Sequence, residues 1–243
     1  MESSVHEEKL IYYLNYKDIL IILGSWYLMG AVLLITRELT LNHILLTDIF
    51  HFLFVVSGRF IYFSLVIFYL TSFYSVEFNH LGLKLYNLKE QLTIGLSKTI
   101  VLFILVLTLI NIPLSYAEDF NLTALFMVIG PDSFISSLLP FTLLFFCCIF
   151  ISLSEQFILN VVIFELFKST LFNSFISLIL SALLYSLILT NFTPSRILIN
   201  FIAALISILL YSRRKSIITS SLFMASYYSI YIAYIYGWNF IKF

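Results

Sequence analysis

Apolar residues in this chain come in long unbroken runs rather than in alternation. They cluster near residues 18–36, 54–76, 97–113, 134–153, 173–190, 197–211 and 217–236. A run of about 20 residues, at ~1.5 Å per helical residue, crosses a hydrocarbon core of ~30 Å. Inside a bilayer every backbone polar group has to be satisfied within a helix or a closed barrel, and continuous apolar sequence selects the helix. The pattern predicts an all-α, polytopic transmembrane helix bundle of seven to eight spans. The polar stretch 1–17 is read as a cytoplasmic N-terminal segment and 18–243 as a single transmembrane domain. No small-residue cleavage site follows a short apolar core, so the first span is expected to remain as an anchor.

The links between the runs are polar and short. Segment 42–53 carries Asp48 and His51 and reads as an interfacial stretch leading into the second span. Segment 77–96, with Glu77, His80, Lys84, Lys89 and Glu90, reads as a loop plus a surface helix. Segment 114–133 contains Glu118, Asp119 and Asp132 but no Lys or Arg. Segment 154–172 reads as a separate semi-polar helix, with Glu155, Gln156, Asn160, Glu165 and Lys168; its full insertion would give the eighth span. Placing the N-terminus in the cytoplasm puts Lys9, Lys17, Lys84, Lys89, Lys98, Lys168, Arg213, Arg214 and Lys215 inside and Arg37, Arg196 and Lys242 outside. That is the asymmetry the positive-inside rule demands.

Composition agrees with this reading and removes other function classes. The 243 residues are 61% hydrophobic and 11% charged with zero formal net charge, against about 25% charged in soluble domains. No basic patch is large enough to suggest nucleic acid. The two cysteines, Cys147 and Cys148, are adjacent within an apolar run; they read as small buried hydrophobes, with no spacing for a metal and no sign of a cofactor. All four histidines, His6, His43, His51 and His80, lie in the first third of the chain. The later spans therefore offer no imidazole as base or ligand, and no GxSxG elbow, HExxH helix or phosphate loop occurs.

Ionisable groups within spans are costly and so become candidates. Asp48 and Arg59 are eleven residues apart, on one helix face but about three turns apart, and Arg59 is expected to snorkel to the interface. Glu155 and Glu165 project in different directions and cannot form a carboxylate dyad. Gln156 and Asn160, four apart, share a face. Beside Glu155 they form a polar cluster, either embedded or on a solvated surface.

The order of features from about 134 to 240 resembles the CPBP family, which includes intramembrane CAAX-type proteases and relatives linked to bacteriocin immunity. The resemblance runs through Ser154-Glu-Gln-Phe-Ile-Leu-Asn160, then Ser181-Ala-Leu-Leu-Tyr-Ser-Leu-Ile-Leu189, the basic turn Arg213-Arg-Lys215, and the last span from Ser216 to Tyr228. Upstream, Leu81-Gly-Leu-Lys84 resembles the turn that follows the second span in such proteins. Laid onto the family's EExxxR helix, the first glutamate falls on Glu155, the second on Gln156 and the arginine on Asn160. The FxxxH motif falls on Tyr185 and Leu189. The last histidine and asparagine fall near Met224 and Tyr228. A rival register on Phe167-Lys168-Ser169 loses both glutamates.

The resemblance implies an intramembrane site with Glu155 as a residual catalytic carboxylate and with Gln156, Asn160, Tyr185 and Tyr228 as binding residues. Losing both imidazoles and the second carboxylate removes the groups that would polarise a peptide carbonyl, each worth about 10²–10³ in rate. The expectation is a catalytically silent member acting as a scaffold or regulator of membrane or cell-envelope proteins. It would sit in a bacterial plasma membrane and bind a partner protein, a peptide or a lipidated protein segment. The alternatives are an active endopeptidase using Glu155 in an altered site, and a small transporter or lipid-handling protein built around Asp48, His51 and Arg59.

Overall fold

The computed structural model describes residues 16–41, 48–78, 81–84, 87–106, 131–171, 173–189 and 194–236. Among these the regular structure is all helical, with no strand. The helices are α1 (Tyr16–Leu41), α2 (Asp48–Tyr74), α3 (Leu88–Val106) and α4 (Pro131–Gln156), a π-helical segment (Phe157–Phe164), then α5 (Glu165–Leu171), α6 (Ser174–Leu189), α7 (Pro194–Arg214) and α8 (Ile217–Tyr236). The segment 114–130, the residues His6, His43 and His80, and the side chains of Asp48, His51 and Leu189 lie outside what is described.

The distribution of polarity is that of a protein dissolved in lipid. Large apolar side chains stay on the outside, with Leu28, Phe68, Phe73 and Phe175 each about two-thirds exposed or more. Small and polar groups go inside: Ser152, Gln156, Asn160, Ser181, Ser207, Thr219 and Ser220 are fully buried. Between helices in a bilayer the driving force is close packing and hydrogen bonding rather than hydrophobicity, which favours such residues at the seams. Three helices among the described residues have the length and composition to cross a membrane: Leu53–Tyr74, Phe141–Leu171 and Ile197–Arg214. Ser174–Leu187 and Ile217–Ile230 are shorter apolar helices. The chain is a helical membrane bundle.

Two expectations need correction. The segment 154–172 is not a separate semi-polar helix. It continues α4 through the π-helical segment into α5, and Phe141–Leu171 is one apolar rod. The eight residues Phe157–Phe164 are all buried, so the polar groups just before and within them face other helices rather than water. The surface helix expected in 77–96 is continuous with the third apolar run: α3 begins at Leu88, nine residues before that run. Its first turns bury Gln91, Gly95 and Thr99 while Lys89, Glu90 and Thr93 stay exposed. A hydropathy window averages that face away.

α8 is the central element, packed against α3, α4 and α7. It runs parallel to α3, because Gln91 meets Ser216 and Thr99 meets the carbonyl of Phe223. Gly95 makes that approach possible. A Cβ there would lie 3.1 Å from Leu222 Cβ and 3.1 Å from the Phe223 backbone nitrogen. α8 runs antiparallel to α4, with Ala225 packed with Cys148 and Ser221 facing Ser152. α2 follows α4 in the same direction through the ring pairs Phe60–Phe150 and Phe63–Phe157. α1 runs back along α2, tied by Tyr62 to the Ile22 carbonyl at 2.8 Å and by Tyr69 to Asp18 at 2.9 Å.

The Leu81–Lys84 turn locks the start of α8. Gly82 adopts φ +77°, a left-handed conformation suited to glycine. Its carbonyl accepts the Ile217 N–H at 2.9 Å, satisfying one of the free donors at the helix start. Gln91 completes the clamp: its Nε2 donates to the Lys84 carbonyl at 2.8 Å, and its Oε1 accepts from Ser216 at 2.7 Å and Thr219 at 3.2 Å.

Candidate functional site at Glu155

Three oxygens from three helices meet in the interior. Glu155, one residue before the end of α4, turns its Oε2 toward Tyr185 of α6 at 3.0 Å and Tyr228 of α8 at 2.7 Å. The two tyrosine hydroxyls lie 2.8 Å from each other. Glu155 is 6% exposed. A carboxylate this deep needs donors because no water shell remains, and the two phenols supply them.

The neighbouring residue begins a second group. Gln156 Oε1 accepts from Asn160 Nδ2 at 3.0 Å and, through a shorter contact, from Ser207 Oγ of α7. Asn160 Nδ2 also reaches Ser220 Oγ of α8 at 3.1 Å. Gln156 and Asn160 are completely buried. Adjacent residues on one strip of chain thus face two neighbourhoods, Glu155 toward the tyrosines and Gln156 toward the serines. The change from α to π winding falls directly after them. Such transitions often mark functional positions in helices.

The structure therefore brings all five sequence-singled residues into one interior region, as two adjoining networks. The solvated-surface alternative for the cluster is excluded by its burial. Glu165 is elsewhere, held by Lys215 Nζ at 3.1 Å, so the two glutamates form no dyad. Met224, on the family's histidine position, is buried. Phe167 and Lys168 of the rival register are only half-buried. Arg59 lies over Trp26, with Cζ 4.5 Å from the ring centroid and its Nη1 buried.

Sequence reasoning missed Ser207 and Ser220, which anchor Gln156 and Asn160 from other helices. Isolated serines in apolar spans carry no distinguishing signal. It also missed Gln91, whose only signal was a polar residue at the foot of a span. No group of three or more metal-ligating side chains occurs among the described residues.

Residues 137–230 match the family model of Rce1-like, type II CAAX prenyl endopeptidases. This segment is similar to the CAAX protease family. The match encloses Glu155, Gln156, Asn160, Tyr185 and Tyr228, and it contains no histidine, since none follows residue 80. Comparison with curated proteins and with solved structures gives no match. Within the matched segment, the carboxylate of Glu155 is surrounded by two phenols.

Proposed function

We propose that this CAAX-family membrane protein does not hydrolyse peptides and instead acts as a scaffold or regulator of other membrane or cell-envelope proteins. The observation that carries this reading is the state of Glu155. Its Oε2 accepts two tyrosine hydroxyls in a closed interior. A general base has to reach the proton of a water or substrate at hydrogen-bond distance, and phenols bonded to the carboxylate compete for that contact. The matched segment also has no imidazole to polarise a carbonyl. What the family fold retains is an intramembrane frame suited to holding an apolar or lipidated segment. Gln156 and Asn160 contribute to the frame from within, since their burial against Ser207 and Ser220 rules them out as direct contacts for a partner helix. On the charge asymmetry, the N-terminus lies in the cytoplasm, and the residue composition suits a bacterial plasma membrane.

The test is reconstitution into vesicles with a prenylated peptide carrying a CAAX-type C-terminus, followed by mass spectrometry. Wild type and Glu155→Gln should release product at the same background rate, while photo-crosslinking in native membranes captures an uncleaved protein. Product formation that disappears in Glu155→Gln would sink the proposal and establish the rival reading, an endopeptidase with an altered site. The retained carboxylate is the observation that favours the rival.

A further inference from the structure

A second polar feature lies between α1 and α2, with Arg59 near enough to the tyrosine–glutamate group to act electrostatically on Tyr185. Trp26 is 6% exposed, and its indole Nε1–H has no hydrogen-bond partner among the described residues. Arg59 Nη1 is likewise buried and without a partner among them. The two belong together, since the guanidinium carbon sits 4.5 Å above the indole ring. This contact with the ring leaves Nη1 without a hydrogen bond among the described residues. Other polar groups along this seam are occupied: Ser25 and Tyr62 both donate to the Ile22 carbonyl, and Tyr69 donates to Asp18. Both unpaired groups are donors only, because neither indole nor guanidinium accepts a hydrogen bond. One is a permanent cation. Arg59 lies six residues inside the apolar span that starts at Leu53, about 9 Å along the helix. A cation at that depth is paired in nearly all membrane proteins. Glu155 directs its Oε2 to Tyr185 and Tyr228.

We propose that Arg59 and Trp26 form a binding site for a phosphate oxyanion. Phosphate supplies a negative charge and several acceptor oxygens, so one oxygen takes the guanidinium edge while another takes the indole N–H. Arginine's planar fork matches that geometry better than a point charge would. Two sources carry this chemistry, the phosphodiester of a bilayer lipid and inorganic phosphate. The site is independent of whether Glu155 is catalytic.

The chain contains two tryptophans, so Trp238→Phe leaves Trp26 as the only indole reporter. That protein, purified in a neutral phosphate-free detergent, is titrated with short-chain phosphatidylglycerol and separately with inorganic phosphate. Native mass spectrometry of the unmodified chain counts retained phospholipid. Saturable change in Trp26 emission with the lipid alone identifies a lipid site, and with both probes a site for phosphate in general; either supports the proposal. Arg59→Gln should weaken binding about tenfold or more, as expected on losing a charge-assisted bond. Trp26→Phe, which keeps the ring and removes the donor, should lower lipid retention while preserving the fold, so it serves if Arg59→Gln does not assemble. No saturable response to either probe, or lipid retention unchanged in both variants, would overturn the proposal.

Discussion

Tyr228 donates to Glu155 Oε2 at 2.7 Å, joining the last helix to the end of α4 through the middle of the bundle. Tyr185 makes the same kind of bond at 3.0 Å and touches Tyr228 at 2.8 Å. Two hydroxyl hydrogens cannot fill three oxygen–oxygen contacts at once, so the contacts compete. Removing one hydroxyl frees the other to donate wholly to the carboxylate. Tyr185→Phe and Tyr228→Phe should therefore each destabilise by only about 1 kcal/mol, within the range for membrane hydrogen bonds. The double variant strips the carboxylate of both donors and should cost more than the sum of the two by about 0.5 kcal/mol or more. Thermal unfolding in detergent of the four proteins measures this. Strict additivity would show that the tyrosines bond to Glu155 independently.

Gly95 and Gly24 are both helical glycines with opposite surroundings. A Cβ at Gly95 meets Leu222 Cβ and the backbone of Phe223 and Thr219 at 3.1–3.3 Å, whereas a Cβ at Gly24 meets nothing within 4 Å. Alanine gains about 0.5–1 kcal/mol in a helix relative to glycine. Overpacking costs about 1–3 kcal/mol. At Gly95 the obstacles include backbone that cannot rotate away, so Gly95→Ala should be net destabilising and should also lengthen the Thr99–Phe223 bond. Gly24→Ala should be neutral or stabilising. Matching melting temperatures for the two variants would contradict the close α3–α8 crossing.

Gln91 ties the Leu81–Lys84 turn to the foot of α8 with three hydrogen bonds. Gln91→Leu keeps the volume and leaves the Ser216 and Thr219 hydroxyls and the Lys84 carbonyl short of a partner. Each such loss in a buried place costs about 1–3 kcal/mol. The expected result is a melting point several degrees lower. Limited trypsin digestion should also speed up at Arg213, Arg214 and Lys215, because the start of α8 loosens first. A variant that melts normally and resists trypsin would mean the turn is held by Ile217 and Gly82 alone.

The helices were legible because hydropathy is a local signal. The apolar run at 217–236 is helical as α8 at Ile217–Tyr236, and the run at 173–190 as α6 at Ser174–Leu189. The sequence also singled out Glu155, Gln156, Asn160, Tyr185 and Tyr228, five residues that meet across helices. What it could not supply was their partners and their depth. Gln156 and Asn160 look like an interfacial pair because the pattern records their polarity and not Ser207 and Ser220 on α7 and α8. The π winding of Phe157–Phe164 was equally hidden, since eight apolar residues read alike in either helix. The contact of Arg59 with Trp26 was hidden as well, since nothing local announces that a ring on another helix lies under its guanidinium.

Lys215 poses a contest between strain and charge. It takes φ 49° at the turn between α7 and α8, a left-handed conformation that costs a residue with a Cβ about 1–2 kcal/mol. Against this, its ammonium bonds Glu165 at 3.1 Å and lies 5.6 Å from the Tyr211 ring centroid. Its side chain is about one-third exposed, so solvent screens the pair and holds its value to about 1 kcal/mol or less. The two effects nearly cancel. Lys215→Gly should leave stability within about 0.5 kcal/mol of wild type, since glycine removes the strain as it removes the ion pair. Lys215→Ala keeps the strain and loses the pair, and should be less stable than Lys215→Gly by about 1 kcal/mol. Chemical denaturation in mixed micelles ranks the three proteins. If alanine is tolerated as well as glycine, the left-handed backbone is not what the turn requires.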